Sequence, residues 1–452
     1  MSVSVPSALA PWLERADVRV GGQRPWDIQV HRTRAFERIL RDGTLGAGES
    51  YMDGDWDCPQ LDALFERILR HRLDELPVLT RGLGSAWRRW RWLWRNPQSA
   101  TRAFRVGEQH YDAGNDLFGR MLDSRWIYSC AYWERAHNLE QAQLDKLEMI
   151  CRKLQLAPGQ RLLDIGCGFG GLARHAAQHY GVQVVGITVS AQQQAKAREL
   201  CQGWPVNILL QDYRALQGRF DRVVSVGMFE HVGPRNYTTF FDKVAELLDP
   251  QGLFLLHTIG RDLPTRSTDA WIERYIFPGG HLPSADALSG SAQQRFVLED
   301  WHNFGADYDR TLMAWHDNFE TAWPELRQHY GERFGRLWRY YLLSCAGFFR
   351  ARQGQLWQLV LSPPQRQAVY RSTRLLEPHN TGHDQRTLLA GSGHPLSEPR
   401  LVRSLSQAGA SGPAGVDSGH GAQPGGLFEP RVGCAAGSVS PAAGPIFGHA
   451  SR

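Results

Sequence analysis

The sequence has few of the features that mark secreted, zinc-binding or membrane-spanning proteins. Its seven cysteines are odd in number and none stands in Cys-x-x-Cys spacing, so neither a disulfide framework nor a zinc site is indicated. No run of about 18 apolar residues could span a bilayer, and no basic segment followed by an apolar run opens the chain. We therefore expect a soluble, cytoplasmic protein.

A strong charge of one sign is also absent, because the formal net charge is only +5 over 452 residues. Basic residues do concentrate within residues 67–105, around the segment 87–95, Trp-Arg-Arg-Trp-Arg-Trp-Leu-Trp-Arg. As a helix, this segment would carry tryptophans on one face and arginines on another, which is typical of helices in the interface of an anionic membrane. Packing of the tryptophans on a neighbouring domain is the alternative. Nucleic acid is disfavoured because the rest of the chain is not basic.

The most informative stretch is residues 161–171, Arg-Leu-Leu-Asp-Ile-Gly-Cys-Gly-Phe-Gly-Gly. An apolar run that ends in clustered glycines before a helix-forming segment predicts a buried strand, a tight turn and a helix. A dinucleotide site would need an acid about 20 residues further on, but the second strand ends in Thr188-Val-Ser190 without one. With Asp164 inside the first strand, the pattern instead resembles S-adenosylmethionine-dependent methyltransferases.

Further apolar, β-branched runs lie at residues 182–188, 206–210, 220–226 and 252–259, separated by helical stretches. This alternation predicts a parallel sheet that is covered on both faces. Residues 297–308 and 355–362 could add two antiparallel strands, with amphipathic helices at 308–322 and 331–349 between them. The predicted fold class is α/β, a Rossmann-like methyltransferase fold with a mostly parallel seven-stranded sheet, plus a small N-terminal mixed domain.

Composition suggests three regions. Residues 1–100, with helical spacing at 34–41 and 60–73 and a short strand at 27–30, are predicted to form an N-terminal lipid-engaging domain. Residues 101–362 are predicted to form the catalytic domain, in which the polar and aromatic segment 106–160 would be an N-terminal lid or, alternatively, a packing segment. Residues 363–452 are rich in Gly, Ser, Pro and Ala and are predicted to be a disordered tail.

Suggestive polar residues cluster where the predicted strands end, and ligands of such sheets bind beyond those ends. Glu230 is interpreted as functional, because burying a carboxyl group that has no functional role would cost free energy without any return. His257, Cys130 and Tyr308 taken singly are ambiguous, because each could be an ordinary core residue.

Eight motifs in register resemble bacterial cyclopropane-fatty-acyl-phospholipid synthases, and the resemblance extends from residue 48 through residue 362. Two of the motifs are Ser225-Val-Gly-Met-Phe-Glu-His-Val-Gly233 and Leu255-Leu-His-Thr-Ile-Gly260. The others span residues 110–116, 128–133, 164–171, 186–190, 211–214 and 275–280. The tail departs from the family, whose members stop soon after the last strand.

The resemblance implies methylene transfer from S-adenosylmethionine to the cis double bond of an unsaturated acyl chain in a membrane phospholipid. An alkene is a poor nucleophile, so the double bond and the methyl group of S-adenosylmethionine must be aligned in a dry pocket. The attack leaves a carbocation on the acyl chain, and a base must then remove a proton. The family's base is a bound bicarbonate ion. The residues that the resemblance implies for holding it are Cys130, Glu230, His257, the backbone of Ile259, and Tyr308.

Resemblance and position also nominate residues for S-adenosylmethionine. Asp212 would bind the adenine amine, and Gln193 would contact the ribose in place of the missing carboxylate. The full set is Tyr111, Tyr128, Ser129, Asp164, Gly166, Gly168, Gly170, Thr188, Gln193, Gln211 and Asp212.

The expected partners are phospholipids with unsaturated acyl chains, contacted peripherally at the inner face of the membrane, and a second copy of the chain in a homodimer. No metal and no nucleic acid are expected. Two alternatives stay open. One is a related methyltransferase that stops at a methyl-branched or methylene product, and the other is a non-catalytic cofactor-binding or membrane-associated protein.

Overall fold

The computed structural model describes residues 4–72, 114–264 and 268–374, all within a first compact unit, Met1–Asn380. The strands are β1 (Gln29–Val30), β2 (Trp56–Asp57), β3 (Arg161–Ile165), β4 (Gln183–Thr188), β5 (Val206–Leu210), β6 (Phe220–Val226), β7 (Leu248–Gly260), β8 (Val297–Asn303) and β9 (Gln355–Ser362). The helices are α1 (Ala10–Arg15), α2 (Arg34–Asp42), α3 (Thr44–Met52), α4 (Leu61–Arg70), α5 (Asn115–Met121), α6 (Leu139–Lys153), α7 (Gly171–Tyr180), α8 (Ala191–Leu200), α9 (Tyr237–Leu247), α10 (Ala270–Tyr275), α11 (Ala285–Ala292), α12 (Ala306–Tyr330) and α13 (Glu332–Arg350).

Seven strands form one sheet in the order β5-β4-β3-β6-β7-β9-β8. Neighbouring strands from β5 to β7 run parallel, whereas β9 pairs antiparallel with both β7 and β8. The predicted α/β methyltransferase-like sheet is thereby confirmed. Strand order reverses at β3, which brings the ends of β3, β4 and β6 together at the edge where ligands bind in such sheets.

Two predicted strands are shorter in the structure, each because a side chain turns the backbone, and the strand predicted at 252–259 begins earlier, at Leu248. The predicted strand at 297–308 stops at Asn303, whose Oδ1 accepts a hydrogen bond from the Gly305 N–H at 3.0 Å before α12 begins. The predicted strand at 27–30 is only Gln29–Val30, because the buried Asp27 accepts hydrogen bonds from the N–H groups of Arg19 and Arg24. Such side-chain to backbone bonds compete directly with sheet ladders.

The N-terminal helices pack against α13 through both charge and close backbone contact. The Arg350 guanidinium binds Asp62 of α4 at 2.6 Å and Asp309 of α12 at 2.8 Å. On the same face of α13, Gly347 lies so close to α4 that a Cβ there would stand 2.7 Å from the carbonyl oxygen of Asp62. The predicted domain boundaries near residues 100 and 362 stay a prediction.

Several predicted features lie outside the described residues: the tryptophan-rich segment 87–95, the motif at 110–113, and almost all of the tail. Within the described ranges, no helix combines the length and apolarity that crossing a bilayer requires.

Replacing Gly347 by Ala should destabilise the fold by about 1–3 kcal/mol, because the added methyl group forces α4 and α13 apart. Urea denaturation measures this free energy of unfolding. The matched control is Gly290→Ala in α11, where a Cβ meets nothing within 4 Å. Alanine should stabilise that helix by roughly 0.5–1 kcal/mol. Equal effects of the two substitutions would contradict the close packing described here.

Candidate active site

The glycine-rich turn after β3 brings the backbone close to a ligand space. Gly166, Gly168 and Gly170 all have positive φ angles, of 83°, 55° and 79°. A Cβ on Gly166 would stand 2.7 Å from Cβ of Met228, so a larger residue there would be both strained and crowded. The helix that follows, α7, directs its first N–H groups toward the same edge of the sheet.

A cavity of about 1470 Å³, counting the part that opens to solvent, lies beyond the strand ends. Most residues predicted for S-adenosylmethionine contribute to its wall. These are Tyr128, Ser129, Asp164, Gly166, Gly168, Thr188, Gln193, Gln211 and Asp212. Gly170 instead forms the N-cap of α7, where a Cβ would stand 2.8 Å from the Cys201 sulfur. Tyr111 lies outside the described residues.

Several of the predicted cofactor residues already have protein partners, among them Thr188, Gln193 and Asp212. The Thr188 hydroxyl donates to Gln193 Oε1 at 2.8 Å, which orients the amide at the end of β4. Asp212 accepts two hydrogen bonds from the Arg214 guanidinium, both at 2.8 Å. Because each carboxylate oxygen can accept more than one hydrogen bond, Asp212 keeps the capacity to accept from a ligand amine.

Lys146, a buried lysine in the cavity wall, is a functional candidate that the sequence motifs do not include. Its Nζ donates to Ser129 Oγ at 2.8 Å, and only 1% of the residue is exposed. Desolvation lowers the pKa of Lys146 to about 8, opposed by the nearby carboxylates of Asp123 and Asp164. Desolvation likewise raises the pKa of Asp164 to about 7. The signal was available, because Lys146 stands one helical turn before the buried Ile150 on α6.

His231 was quoted in a motif but given no role, and it also lines the cavity. Desolvation lowers its pKa to about 4, so the ring is neutral at physiological pH. Its Nδ1 is buried and has no hydrogen-bond partner among the described residues. A neutral ring with an open nitrogen can contact a ligand without adding charge to the site.

Glu230 lies in a short 3-10 turn after β6 and faces β7. Its Oε1 accepts a hydrogen bond from the Ile259 N–H at 2.6 Å, while the buried Oε2 has no partner in the described ranges. Burial raises the pKa of Glu230 to about 7, against the lowering effect of the Ile259 N–H. Because that N–H is engaged by Glu230, the predicted contact of the Ile259 backbone with an anion stays a prediction.

His257 is the second buried polar group at this point. Its Nδ1 lies 3.2 Å from the amide nitrogen of Gln358 on β9, and burial holds its pKa well below the usual range. Its Nε2 is buried and, like Glu230 Oε2, has no hydrogen-bond partner among the residues that the structure describes. Burying two polar atoms without hydrogen-bond partners costs free energy, so these atoms indicate a site for a polar ligand.

Cys130 and Tyr308 complete the predicted catalytic group. Cys130 is fully buried with its sulfur 3.2 Å from the carbonyl oxygen of Ala131, and burial raises the pKa of its thiol well above the usual range. The half-buried Tyr308 stacks on Phe349 with ring centroids 4.6 Å apart. Cys130, Tyr308 and Ile259 pack into one apolar cluster.

The structure thus brings the five predicted catalytic residues into one neighbourhood. Ile259 binds Glu230, and the His257 ring packs at 5.7 Å on Phe304 of the apolar cluster. This neighbourhood adjoins the cavity, because Ser129 next to Cys130 and His231 next to Glu230 both line it. Among the described residues, no group of three or more His, Cys, Asp or Glu side chains could hold a metal ion.

Comparisons with known proteins identify the relatives of this chain. A family model described as mycolic acid cyclopropane synthetase matches residues 98–359. The cyclopropane-fatty-acyl-phospholipid synthase of Escherichia coli K12 is 55% identical over 359 residues, which cover 77% of this chain and 91% of that protein. The tuberculostearic acid methyltransferase of Mycobacterium tuberculosis is 35% identical, over 74% of this chain and 83% of its own length.

A solved structure extends the likeness to the fold. Mycolic acid cyclopropane synthase CmaA1, complexed with SAH and CTAB, is 33% identical with a TM-score of 0.54. The match covers 57% of this chain and 97% of that one.

The buried Glu230 predicts a pH-dependent stability difference between the wild type and Glu230→Gln. Between pH 4.5 and 7, the unfolded chain loses the proton of this carboxyl while the folded protein keeps it, so the wild type loses stability as the pH rises. Glutamine cannot ionise. The variant should therefore gain about 3 kcal/mol relative to the wild type across this window. Urea denaturation in bicarbonate-free buffer at several pH values measures it, and a constant difference would contradict the burial of an ionisable Glu230.

Proposed function

The chain belongs to the mycolic acid cyclopropane synthetase family, and on that premise we propose that it transfers a methylene group from S-adenosylmethionine to the cis double bond of unsaturated acyl chains in phospholipids. The observation that carries the proposal is the pair of buried, unpartnered atoms, Glu230 Oε2 and His257 Nε2, beside a cavity lined by the glycine turn. Phospholipid as the substrate is supported by the 55% identity to the Escherichia coli synthase.

In the first half of the reaction, the π electrons of the alkene attack the methyl carbon of the sulfonium and the carbon–sulfur bond breaks. The neutral thioether leaves, and the chain carries a cation on the neighbouring carbon. Because the alkene is a weak nucleophile, alignment of the two partners supplies most of what the protein can contribute. We assign this task to the cavity wall around Gly166, Gly168 and Thr188, which would fix the cofactor.

In the second half, the new methyl group loses a proton and its carbon–hydrogen electron pair closes the ring onto the cation. A nucleophilic side chain at this point would risk alkylation. Cys130 avoids the risk because burial keeps its pKa high, so that it is a thiol rather than a thiolate at neutral pH. The Tyr308 ring is suited to a neighbouring cation because an aromatic face attracts positive charge.

We propose that a bicarbonate ion binds in the catalytic neighbourhood. When bound, it supplies a small, weakly nucleophilic base. The donor set fits such an ion, because His257 Nε2 and Glu230 Oε2 are buried polar atoms that lack protein partners in the described ranges. A carboxyl group whose pKa is near 7 can either donate a hydrogen bond or accept one, so Glu230 can adjust to the protonation state of its guest.

A methyltransferase that stops at a branched or methylene product is the second candidate. It is favoured by the 35% identity to the tuberculostearic acid methyltransferase. The two candidates share every step up to the cation and differ only in its fate. The structure of the labelled acyl product therefore separates them.

We further propose that the chain acts as a homodimer in peripheral contact with the cytoplasmic face of the membrane. The support for contact is the basic, tryptophan-rich segment 87–95, which lies outside the described residues. Arginines held near an anionic surface contribute roughly 1 kcal/mol each, and the tryptophans would enter the interface.

Replacing Glu230 by Gln should lower turnover by two or more orders of magnitude, because an amide can neither ionise nor pass a proton at this point. Affinity for S-adenosylmethionine should stay within about twofold, since Glu230 adjoins the cavity without forming its wall. Incorporation of the labelled methyl group into phospholipid and calorimetric titration of the cofactor measure the two quantities. Glu246→Gln, on the exposed face of α9, is the matched control. Equal loss of turnover and affinity would mean that Glu230 shapes the cofactor site instead.

Replacing Trp90 and Trp94 by Ala should weaken binding to anionic vesicles by about tenfold or more, because two interfacial side chains are lost. Sedimentation of the protein with vesicles that contain an anionic phospholipid measures the partition coefficient. Trp204→Ala is the control, because Trp204 is an exposed tryptophan between α8 and β5, outside the segment 87–95. An unchanged partition coefficient for the Trp90/Trp94 variant would reduce the segment to a packing element.

A further inference from the structure

Behind His257, on the side away from the cavity, lies a buried polar network that the proposed reaction does not use. Its central members are Lys153 at the end of α6 and Gln358 in the middle of β9, and each is completely buried. A buried lysine is costly unless its donors are satisfied. Lys153 Nζ bonds Gln358 Oε1 at 2.9 Å and His302 Nδ1 at 3.1 Å, and it forms an ion pair with Asp300 at 3.5 Å.

The network has only one consistent arrangement of donors and acceptors. A lysine ammonium group only donates, so Gln358 must turn its oxygen toward Lys153. The amide NH₂ group of Gln358 then faces His257 Nδ1, at 3.2 Å. Because an NH₂ group also only donates, Nδ1 of His257 must be the acceptor and cannot carry a proton.

The proton of His257 is thereby assigned to Nε2. A neutral imidazole carries one proton, and burial together with the nearby lysines disfavours a second one. Nε2 is the atom that is buried without a partner. The ring therefore presents a buried N–H donor from the nitrogen that does not face Gln358, and an anion held in the catalytic neighbourhood would need such a donor.

We propose that Lys153 and Gln358 are positioning residues that hold His257 in its Nε2–H tautomer, so that it donates a hydrogen bond to the anion in the catalytic site. Asp300 supports the arrangement from behind, because its carboxylate forms ion pairs with both Lys153 and Arg374. This inference rests on the proposed function for its catalytic consequence, but the tautomer itself does not depend on the reaction.

The direct test is nuclear magnetic resonance of the full-length protein labelled with ¹⁵N-histidine, in which the His257 signals are assigned by their loss in His257→Gln. Long-range proton–nitrogen correlations distinguish a protonated ring nitrogen from an unprotonated one. We expect Nε2 to be protonated and Nδ1 to be unprotonated in the wild type. A proton on Nδ1 of the wild type would overturn the inference.

The substitution that tests the consequence is Gln358→Glu, which keeps the shape of the side chain and its bond to Lys153. A carboxylate only accepts, so His257 Nδ1 should become protonated. Nε2 of the neutral ring is then unprotonated and cannot donate to the anion, so turnover should fall by at least about 100-fold, as expected for a wrongly protonated histidine. Affinity for S-adenosylmethionine should be unchanged.

The matched control is Gln355→Glu, which introduces the same charge on the same buried strand. Gln355 bonds Asn303 and Asp262 rather than His257, so the His257 signals should stay as in the wild type and turnover should stay well above that of Gln358→Glu. Lys153→Met is the second variant, because it frees the Gln358 amide to turn and should give a mixture of the two His257 tautomers with reduced turnover.

The outcomes separate this inference from the proposed function. Wild-type turnover by Gln358→Glu with Nδ1 protonated would overturn the positioning role while leaving the cyclopropane reaction intact. If wild-type protein formed no ring or methyl product on any lipid, the proposed function would fail, and the wild-type spectrum alone would still decide the tautomer.

Discussion

Desolvation of a few polar side chains at the carboxyl edge of the sheet is the constraint on which the rest of the site depends. Glu230, His257 and Asp164 are all buried, and burial pushes each toward its neutral form. A site that receives a sulfonium and passes through a cation gains from this, because fixed polar groups replace water without supplying a nucleophile. The same burial keeps Cys130 a thiol.

Elements from distant parts of the chain offset the free-energy cost of this burial, because they supply hydrogen-bond partners to the buried polar groups. β7 carries both Ile259, which binds Glu230, and His257, whose rear nitrogen is met by β9. The antiparallel insertion of β9 between β7 and β8 is what brings Gln358 to that position. Helix α6 adds Lys146 at the cavity and Lys153 behind His257, seven residues apart on one buried face.

Much of the catalytic sheet could be predicted from the sequence because its signals are local. The apolar run before Gly166, the turn glycines and the alternation of strands with helices depend on neighbouring residues, and the structure has them where periodicity indicates. Most of the predicted cofactor residues line one cavity, and those of the sheet lie at or just beyond the carboxyl ends of strands. The missing acid after β4 is explained by Thr188, which binds Gln193 instead.

The pairings that tune the site could not be predicted, because they join residues far apart in sequence. Gln358 lies 101 residues from His257 and 205 residues from Lys153, and no local pattern links them. Lys153 by itself reads as an ordinary basic residue at the end of a helix, where lysine is common. Prediction is limited in the same way at short range. Arg214 stands two residues after Asp212, but this spacing alone does not reveal that the two side chains bind each other.

The central claim is that the cation formed on the acyl chain closes to a three-membered ring. Mass spectrometry of phospholipid fatty acids, after incubation of the protein with unsaturated phospholipid vesicles and methyl-labelled S-adenosylmethionine, tests it most directly. We expect an acyl chain heavier by one labelled methylene, without its double bond, whose fragments locate a ring at the former double-bond position. A methylated chain that is branched or still unsaturated, or lipid that is unchanged although the cofactor binds, would contradict it.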